Sequence, residues 1–229
     1  QRAFSLVGPY GSGKSAFLTF LTNLLAHGPA HKPAVERLNW MDFAQGQRTR
    51  KDLVDVAPLV PCLLTGRRVH LGTALLAALR ETADAFWQGR GVNPPVVQAL
   101  READDAAGEA APDDDQIVEL ALALAAQIER SSRSGRGLLL VIDEFGKFLE
   151  WAALHPAQAD VYLLQRLAEA AARSPAPLIL INVLHQDMAS YARGLPRAMR
   201  DEWTKWRGAS TPFPTSNRPN MSCTCWMGR

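Results

Sequence analysis

The sequence predicts an α/β protein in which a mainly parallel central β-sheet is flanked by helices in three layers. Short β-prone apolar runs alternate with amphipathic helical segments along the chain, an order typical of a parallel sheet with helices on both faces. The run at residues 138–142, Leu-Leu-Leu-Val-Ile, is apolar at every position, as in a parallel strand buried on both faces. A length of 229 residues suits one such domain.

The individual elements follow from local patterns. Strands are predicted where β-branched and other apolar residues are bounded by Gly or Pro, at residues 3–7, 59–64, 138–142 and 178–184. Helices are predicted where apolar residues recur at a spacing of three and four, at residues 17–25, 72–87, 116–130 and 162–172. Pro61 weakens the prediction of the second strand, because proline cannot donate a ladder hydrogen bond.

Two segments are predicted to be irregular. The acidic stretch at residues 102–115 favours a solvated loop, and its last aspartates suit the N-terminal end of the next helix. Residues 1–207 are expected to form the core. Residues 208–229 lack apolar periodicity, and we expect an irregular or non-native tail there. Because the chain starts with Gln1 and a strand follows almost at once, we expect a fragment of a larger protein.

Composition limits the possible partners and compartment. A formal net charge of +2 does not call for a nucleic-acid partner, although binding to DNA stays possible. No apolar run approaches the roughly 18–20 residues that span a bilayer, so no membrane association is expected. Cys62 lies in an apolar run, and Cys223 and Cys225 lack two further ligands at metal-site spacing. We therefore expect the reducing cytoplasm as the compartment.

A phosphate-binding loop is predicted at residues 8–15, GPYGSGKS, between the first strand and an amphipathic helix. Glycines let backbone N–H groups turn towards phosphate oxygens, and the helix presents its N-terminus to the same anion. In this pattern Lys14 reaches the β- and γ-phosphates, and Ser15 holds Mg²⁺. The predicted nucleotide-binding residues are Gly8, Pro9, Tyr10, Gly11, Ser12, Gly13, Lys14, Ser15 and Ala16. The alternative is a Gly/Ser-rich turn without a ligand.

An acidic pair follows the buried third strand. Asp143 suits a second Mg²⁺ contact near Ser15. Glu144 suits the orientation and polarisation of an attacking water, which favours hydrolysis over transfer to a metabolite. The alternative is an ordinary strand followed by a turn in which Asp143 serves as a helix N-cap.

Polar residues also follow the fourth strand. Ligands of open α/β sheets bind beyond the carboxyl ends of the strands, so His185 or Gln186 could contact the γ-phosphate or position water. Asn182 lies nearer the middle of the strand and could instead be a buried amide that is satisfied locally.

Several other polar residues have open roles. Thr65, Arg67 and Arg68 follow the second strand and would lie at the same edge of the sheet. One arginine of a later cluster could act on the nucleotide of a neighbouring subunit, or the cluster could form a solvated basic face: Arg193, Arg197, Arg200 and Arg207.

With these residues in place, the chain resembles the additional-strand catalytic-glutamate division of P-loop NTPases, close to AAA-type ATPases. The resemblance rests on GPYGSGKS at residues 8–15, LLLVIDE at 138–144 and LILINVLHQ at 178–186. The segments VIDEFGKFLE and VLHQDMASYA are also similar to bacterial ATP-binding proteins of phage-resistance systems of the BREX kind. The resemblance implies a P-loop NTPase fold, ATP and Mg²⁺ as cofactors, and His185 or Gln186 as a sensor residue.

The expected function is therefore Mg²⁺-dependent ATP hydrolysis coupled to conformational change in a larger assembly, with antiviral defence as a possible setting. Other protein subunits or self-association are the expected partners. A GTPase is disfavoured because no Asn-Lys-x-Asp motif occurs, and a small-molecule kinase is disfavoured by Glu144. The alternatives are a nucleotide-dependent switch or scaffold with little turnover, and a DNA-stimulated motor.

Overall fold

The computed structural model describes residues 2–40, 58–107, 112–131, 135–155, 162–186, 188–191, 210–212 and 222–226. Its strands are β1 (Ala3–Val7), β2 (Leu59–Thr65), β3 (Gly137–Asp143), β4 (Leu178–Leu184), β5 (Ser210–Pro212) and β6 (Ser222–Trp226). Its helices are α1 (Lys14–Leu25), α2 (His31–Trp40), α3 (Leu71–Trp87), α4 (Pro95–Ala106), α5 (Asp114–Arg130), α6 (Gly146–Leu154), α7 (Leu163–Arg173) and α8 (Met188–Tyr191). None of the described helices is long and apolar enough to cross a membrane.

The sheet confirms the predicted α/β class. Its strand order is β2-β3-β4-β1-β6-β5, and the first four of these strands pair in parallel. All four carboxyl ends of the parallel strands therefore lie at one edge of the sheet. The loops after β1, β2, β3 and β4 all leave from this edge, which brings distant segments of the chain together.

Helices cover both faces of the parallel strands, an arrangement compatible with the three predicted layers. On one face, α1 packs Leu18 and Leu21 against apolar residues of the strands such as Val141 and Val183. On the other face, α3 packs on β2, α5 packs on β3 and α7 packs on β4. Strand β3 is buried along almost its whole length, as its uniformly apolar sequence predicts.

Strand β2 forms an edge of the sheet, and this explains how it accommodates Pro61. Gly66 N–H donates a hydrogen bond to the carbonyl oxygen of Asp143, and Pro58 O accepts one from the N–H of Arg136. The even-numbered residues of β2 and its flanks therefore direct their backbone N–H and C=O groups towards β3. The backbone of Pro61 thus faces away from β3, where its missing N–H costs no ladder bond. The strand prediction at residues 59–64 is confirmed.

The prediction of a solvated loop over residues 102–115 is wrong in its first part, because α4 continues through Ala106. Its apolar residues recur at helical spacing and are buried, while the acidic residues lie between them: Val96, Val97, Leu100 and Ala103. Asp104 accepts a hydrogen bond of 2.5 Å from Nε of Arg80 on α3. The acidic composition favoured a loop prediction, although the buried apolar residues follow the spacing of an amphipathic helix.

The end of the same stretch behaves as expected. Asp113 is the N-cap of α5 and accepts a hydrogen bond of 3.0 Å from the backbone N–H of Asp115. Asp114 and Asp115 occupy the first turn of α5, where the helix dipole favours negative charge.

The segment at residues 208–229, expected to be irregular, contributes the two short strands β5 and β6. Strand β6 pairs antiparallel with β1, and β5 pairs antiparallel with β6. Cys223 and Cys225 lie on β6.

Candidate functional site

The predicted phosphate-binding loop connects β1 to α1 at the carboxyl edge of the sheet. Gly11 and Gly13 adopt positive φ angles of 76° and 84°, and Gly13 is the N-cap of α1. A residue with a β-carbon would be strained at both positions. The first N–H groups of any α-helix lack an intrahelical partner, and Gly13 has no side chain that could cap those of α1. Tyr10 and Pro9 are exposed, and Ala16 lies in the first turn.

Lys14 is folded back into the loop. Its ammonium group donates hydrogen bonds to the carbonyl oxygens of Gly8 (2.6 Å) and Pro9 (2.7 Å) and to the hydroxyl of Ser12 (3.2 Å). The residue is only 3% exposed, and this burial lowers the pKa of Lys14, against an opposing effect of the Asp143 charge. A phosphate ligand would have to exchange these bonds for bonds to its own oxygens.

Ser15 and Asp143 meet across the site. The hydroxyl of Ser15 donates a hydrogen bond of 3.1 Å to Oδ2 of Asp143, although the two residues are 128 positions apart. Oδ1 of Asp143 accepts a hydrogen bond of 2.9 Å from the backbone N–H of Glu144. The alternative role of Asp143 as an N-cap is not observed, because Phe145 is the N-cap of α6.

These two side chains fit a magnesium ion chemically. A hydroxyl and a carboxylate are hard oxygen donors, which Mg²⁺ prefers, and Mg²⁺ usually completes its shell with phosphates and waters. Within the described residues, no group of three or more His, Cys, Asp or Glu could hold a metal ion by itself. A magnesium ion held by Ser15 and Asp143 would take its other ligands from phosphates and waters.

Glu144 has a constrained backbone. Its φ angle is 52°, in the left-handed region that non-glycine residues rarely adopt. Its carboxylate forms an ion pair with Lys147, and this contact lowers the pKa of Glu144 below the ordinary value. The same contact raises the pKa of Lys147, so both groups stay charged near neutral pH.

His185 follows β4 and lies next to Glu144. Its Nε2 is 3.8 Å from Oε1 of Glu144, which is longer than a hydrogen bond. The Tyr10 ring stacks on the imidazole with 3.7 Å between ring centroids and 18° between planes. Burial, followed by the charge of Lys14, lowers the pKa of His185, which favours the neutral ring. The adjacent Gln186 is exposed.

Three further residues contact this site and were not singled out from the sequence. Gly66 lies directly against the carbonyl group of Glu144, where a β-carbon would not fit. The hydroxyl of Tyr191 lies similarly close to Gly146, the residue that begins α6. Lys147 pairs with Glu144. Of these three residues, only Gly66 had a signal in the sequence, because a glycine directly after a strand can mark a close approach of another backbone.

The remaining predicted residues are distributed as follows. Thr65 lines a cavity of about 240 Å³ that also contacts Ser15 and Asp143. Arg68 pairs with Glu150 at 3.0 Å. Asn182 is buried within the sheet between Ser5 and Ile142, and its Oδ1 accepts no hydrogen bond from the described residues. The arginine cluster lies outside the described residues: Arg193, Arg197, Arg200 and Arg207.

Comparisons with known proteins identify no relative. No family model matches the chain, and the searches of curated proteins and of solved structures give no significant match. The similarity to AAA-type ATPases and to phage-resistance proteins therefore stays a prediction from the motifs.

Proposed function

We propose that this protein binds ATP with Mg²⁺ and hydrolyses it, in the manner of a P-loop ATPase of the catalytic-glutamate division. The observation that carries the proposal is the 3.1 Å hydrogen bond between Ser15 and Asp143. This bond joins the glycine-rich loop at residues 8–15 to the acidic pair after β3, which lie far apart in the sequence. The positive φ angles of Gly11 and Gly13 suit a loop that binds phosphate through its backbone N–H groups. A Gly/Ser-rich turn without a ligand would have no reason to face a carboxylate at the end of a buried strand.

The chemistry assigns one task to each part of the site. Ser15 and Asp143 would hold Mg²⁺, and the ammonium group of Lys14 would exchange its carbonyl partners for oxygens of the β- and γ-phosphates, whose charge it would neutralise. Glu144 accepts the proton of the attacking water. The neutral His185 lies 3.8 Å from the Glu144 carboxylate and helps to orient that water.

The strand order supports the assignment to this division. Strand β4 lies between β1, which leads into the phosphate-binding loop, and β3, which ends in Asp143. The resemblance implies a sensor residue on the strand that follows the acidic pair along the chain, and His185 directly follows that strand, β4.

The proposal also extends to what ATP hydrolysis would drive. Hydrolysis would drive a conformational change in a larger assembly of protein subunits, with phage defence as the setting that the sequence resemblance implies.

Measurements of ATP binding and of phosphate release test the proposal. We expect turnover that requires Mg²⁺ and that falls by about 100-fold or more in Glu144→Gln, the range for loss of a catalytic base. ATP affinity should persist in that variant, because the loop at residues 8–15 is unchanged. Glu129→Gln, an exposed residue of α5, is the matched control and should behave as the unmodified protein.

Two results would contradict hydrolysis. Tight Mg-ATP binding without turnover in the unmodified protein would instead favour the nucleotide-dependent switch. Turnover that is unchanged in Glu144→Gln would remove Glu144 from the mechanism and would point to a contaminating ATPase.

A further inference from the structure

The two carboxylate oxygens of Glu144 face different groups. Oε2 forms the ion pair with the ammonium group of Lys147. Oε1 faces Nε2 of His185 at 3.8 Å. The carboxylate is thus held from one side, and its other oxygen is directed towards the predicted sensor residue.

Lys147 is attached to Glu144 by its backbone as well as by its side chain. It is the second residue of α6, and its N–H donates a hydrogen bond of 3.0 Å to the carbonyl oxygen of Glu144. This backbone bond keeps the two residues in one turn, within reach of an ion pair between their side chains. An ion pair three residues apart in such a turn restricts the rotamers that the glutamate can adopt.

The dipole of α6 does not explain a lysine at this position. The N-terminus of a helix carries a partial positive charge, so a cation in the first turn is unfavourable. Glu150, one turn along α6, forms an ion pair with Arg68 at 3.0 Å, and its charge also contributes to the raised pKa of Lys147. The contact with Glu144 contributes most to that pKa, so Glu144 is the main partner of Lys147.

We infer that Lys147 is a positioning residue for Glu144: by holding Oε2, it turns Oε1 towards the attacking water beside His185. The inference rests on the proposed ATP hydrolysis, in which Glu144 accepts the proton of that water. Lys147 contributes no proton transfer of its own. Its effect reaches the reaction only through the orientation of one carboxylate oxygen.

Steady-state ATP hydrolysis by Lys147→Met and Lys147→Arg tests this role. We expect Lys147→Met to lower kcat about 10-fold while KM for ATP changes by less than about 2-fold, because misorientation acts on the chemical step. Lys147→Arg keeps a charged donor and should recover kcat to within about 3-fold of the unmodified protein. Lys32→Met is the matched control, since Lys32 is exposed and is, like Lys147, the second residue of its helix, here α2.

A double variant separates positioning from a structural effect. In a Glu144→Gln background, Lys147→Met should change the residual turnover by less than about 2-fold, because residues that act as a unit are not additive. Thermal unfolding should show little difference in stability between Lys147→Met and the unmodified protein, since the loss of a partly exposed ion pair and the removal of a cation from a helix N-terminus have opposite effects.

Three outcomes would overturn the inference. An unchanged kcat in Lys147→Met would show that Glu144 needs no such support. A raised kcat would show that Lys147 restrains the glutamate instead of positioning it. Absence of hydrolysis in the unmodified protein and in Lys32→Met would refute the proposed function first, and the role of Lys147 with it.

Discussion

The backbone of Gly66 lies against the carbonyl group of Glu144 so closely that no β-carbon fits between them. The N–H of Gly66 also donates a hydrogen bond of 2.8 Å to the carbonyl oxygen of Asp143. The end of the edge strand β2 therefore supports the backbone of both acidic residues of the site. Because Glu144 adopts a left-handed conformation, this support matters for where its side chain points.

A methyl group at position 66 should displace Glu144. We expect Gly66→Ala to lower turnover about 10- to 100-fold, the range for a shift of roughly 1 Å in a catalytic group. ATP affinity should change by less than about 3-fold, because the atoms nearest to a β-carbon at position 66 belong to Glu144. Phosphate release and calorimetric ATP binding on the same preparation measure the two effects separately.

Gly91→Ala is a control for general destabilisation. Gly91 has a φ angle of 67° and follows α3. Its replacement should lower the unfolding temperature through backbone strain, but leave the turnover at low temperature unchanged. If Gly66→Ala kept full turnover, the contact with Glu144 would have no catalytic consequence.

Ser15 and Asp143 should act as one unit in metal binding. We expect Ser15→Ala and Asp143→Asn each to weaken ATP binding about 10-fold in Mg²⁺ and much less in EDTA, since metal ligands and their partners contribute on this scale. The double variant should be little worse than the poorer single variant. Ser15→Thr keeps the hydroxyl and serves as the control. Equal losses with and without Mg²⁺ would contradict a metal role.

Local patterns were sufficient to predict the four parallel strands of the sheet. The strand at residues 138–142 and the glycines of the loop carry their structural signal in consecutive residues, so no knowledge of long-range contacts was needed. The helix at Pro95–Ala106 shows the opposite case. Its acidic and small residues are typical of a loop, and only burial of its apolar stripe against α3 and α5 reveals the helix.

The supporting residues of the site could not be predicted for a physical reason. Gly66 contacts Glu144 because β2 and β3 pair in parallel with Thr65 opposite Asp143. That register depends on the packing of the whole sheet, and no short sequence pattern records it. Lys147 was close to Glu144 in sequence, but a lysine at this spacing is usually a solvated residue of a helix surface.

Tyr10 should contribute to turnover through its stacking on His185. The Tyr10 side chain is exposed, with 76% of its surface accessible, yet its ring lies parallel to the imidazole at 3.7 Å. Loss of one aromatic pair of about 0.5–1.5 kcal/mol corresponds to a reduction of about 2- to 12-fold in turnover for Tyr10→Ala. Tyr10→Phe retains the ring and should keep turnover. A loss of equal size in both variants would assign the effect to the hydroxyl group.

The thiol of Cys62 should make the stability of the protein depend on alkaline pH. Cys62 is fully buried in the core beneath α3, and burial raises its pKa from 9.0 to about 12. The thiol ionises in the unfolded chain first, so its stabilising contribution is complete below pH 9 and is lost as the pH rises towards 12.

We expect this single group to lower the free energy of unfolding by about 2 kcal/mol at pH 10.5 relative to pH 8, from 1.36 kcal/mol per pKa unit. Cys62→Ala should be less stable at pH 8 by about 1 kcal/mol, because it leaves a small cavity. It should also lose less stability between pH 8 and pH 10.5 than the unmodified protein does. Urea unfolding at both pH values measures these differences, and identical pH dependence in the two proteins would contradict a buried neutral thiol. Peptide mapping after iodoacetamide treatment at pH 8 provides an independent test, because Cys62 should be alkylated only after unfolding.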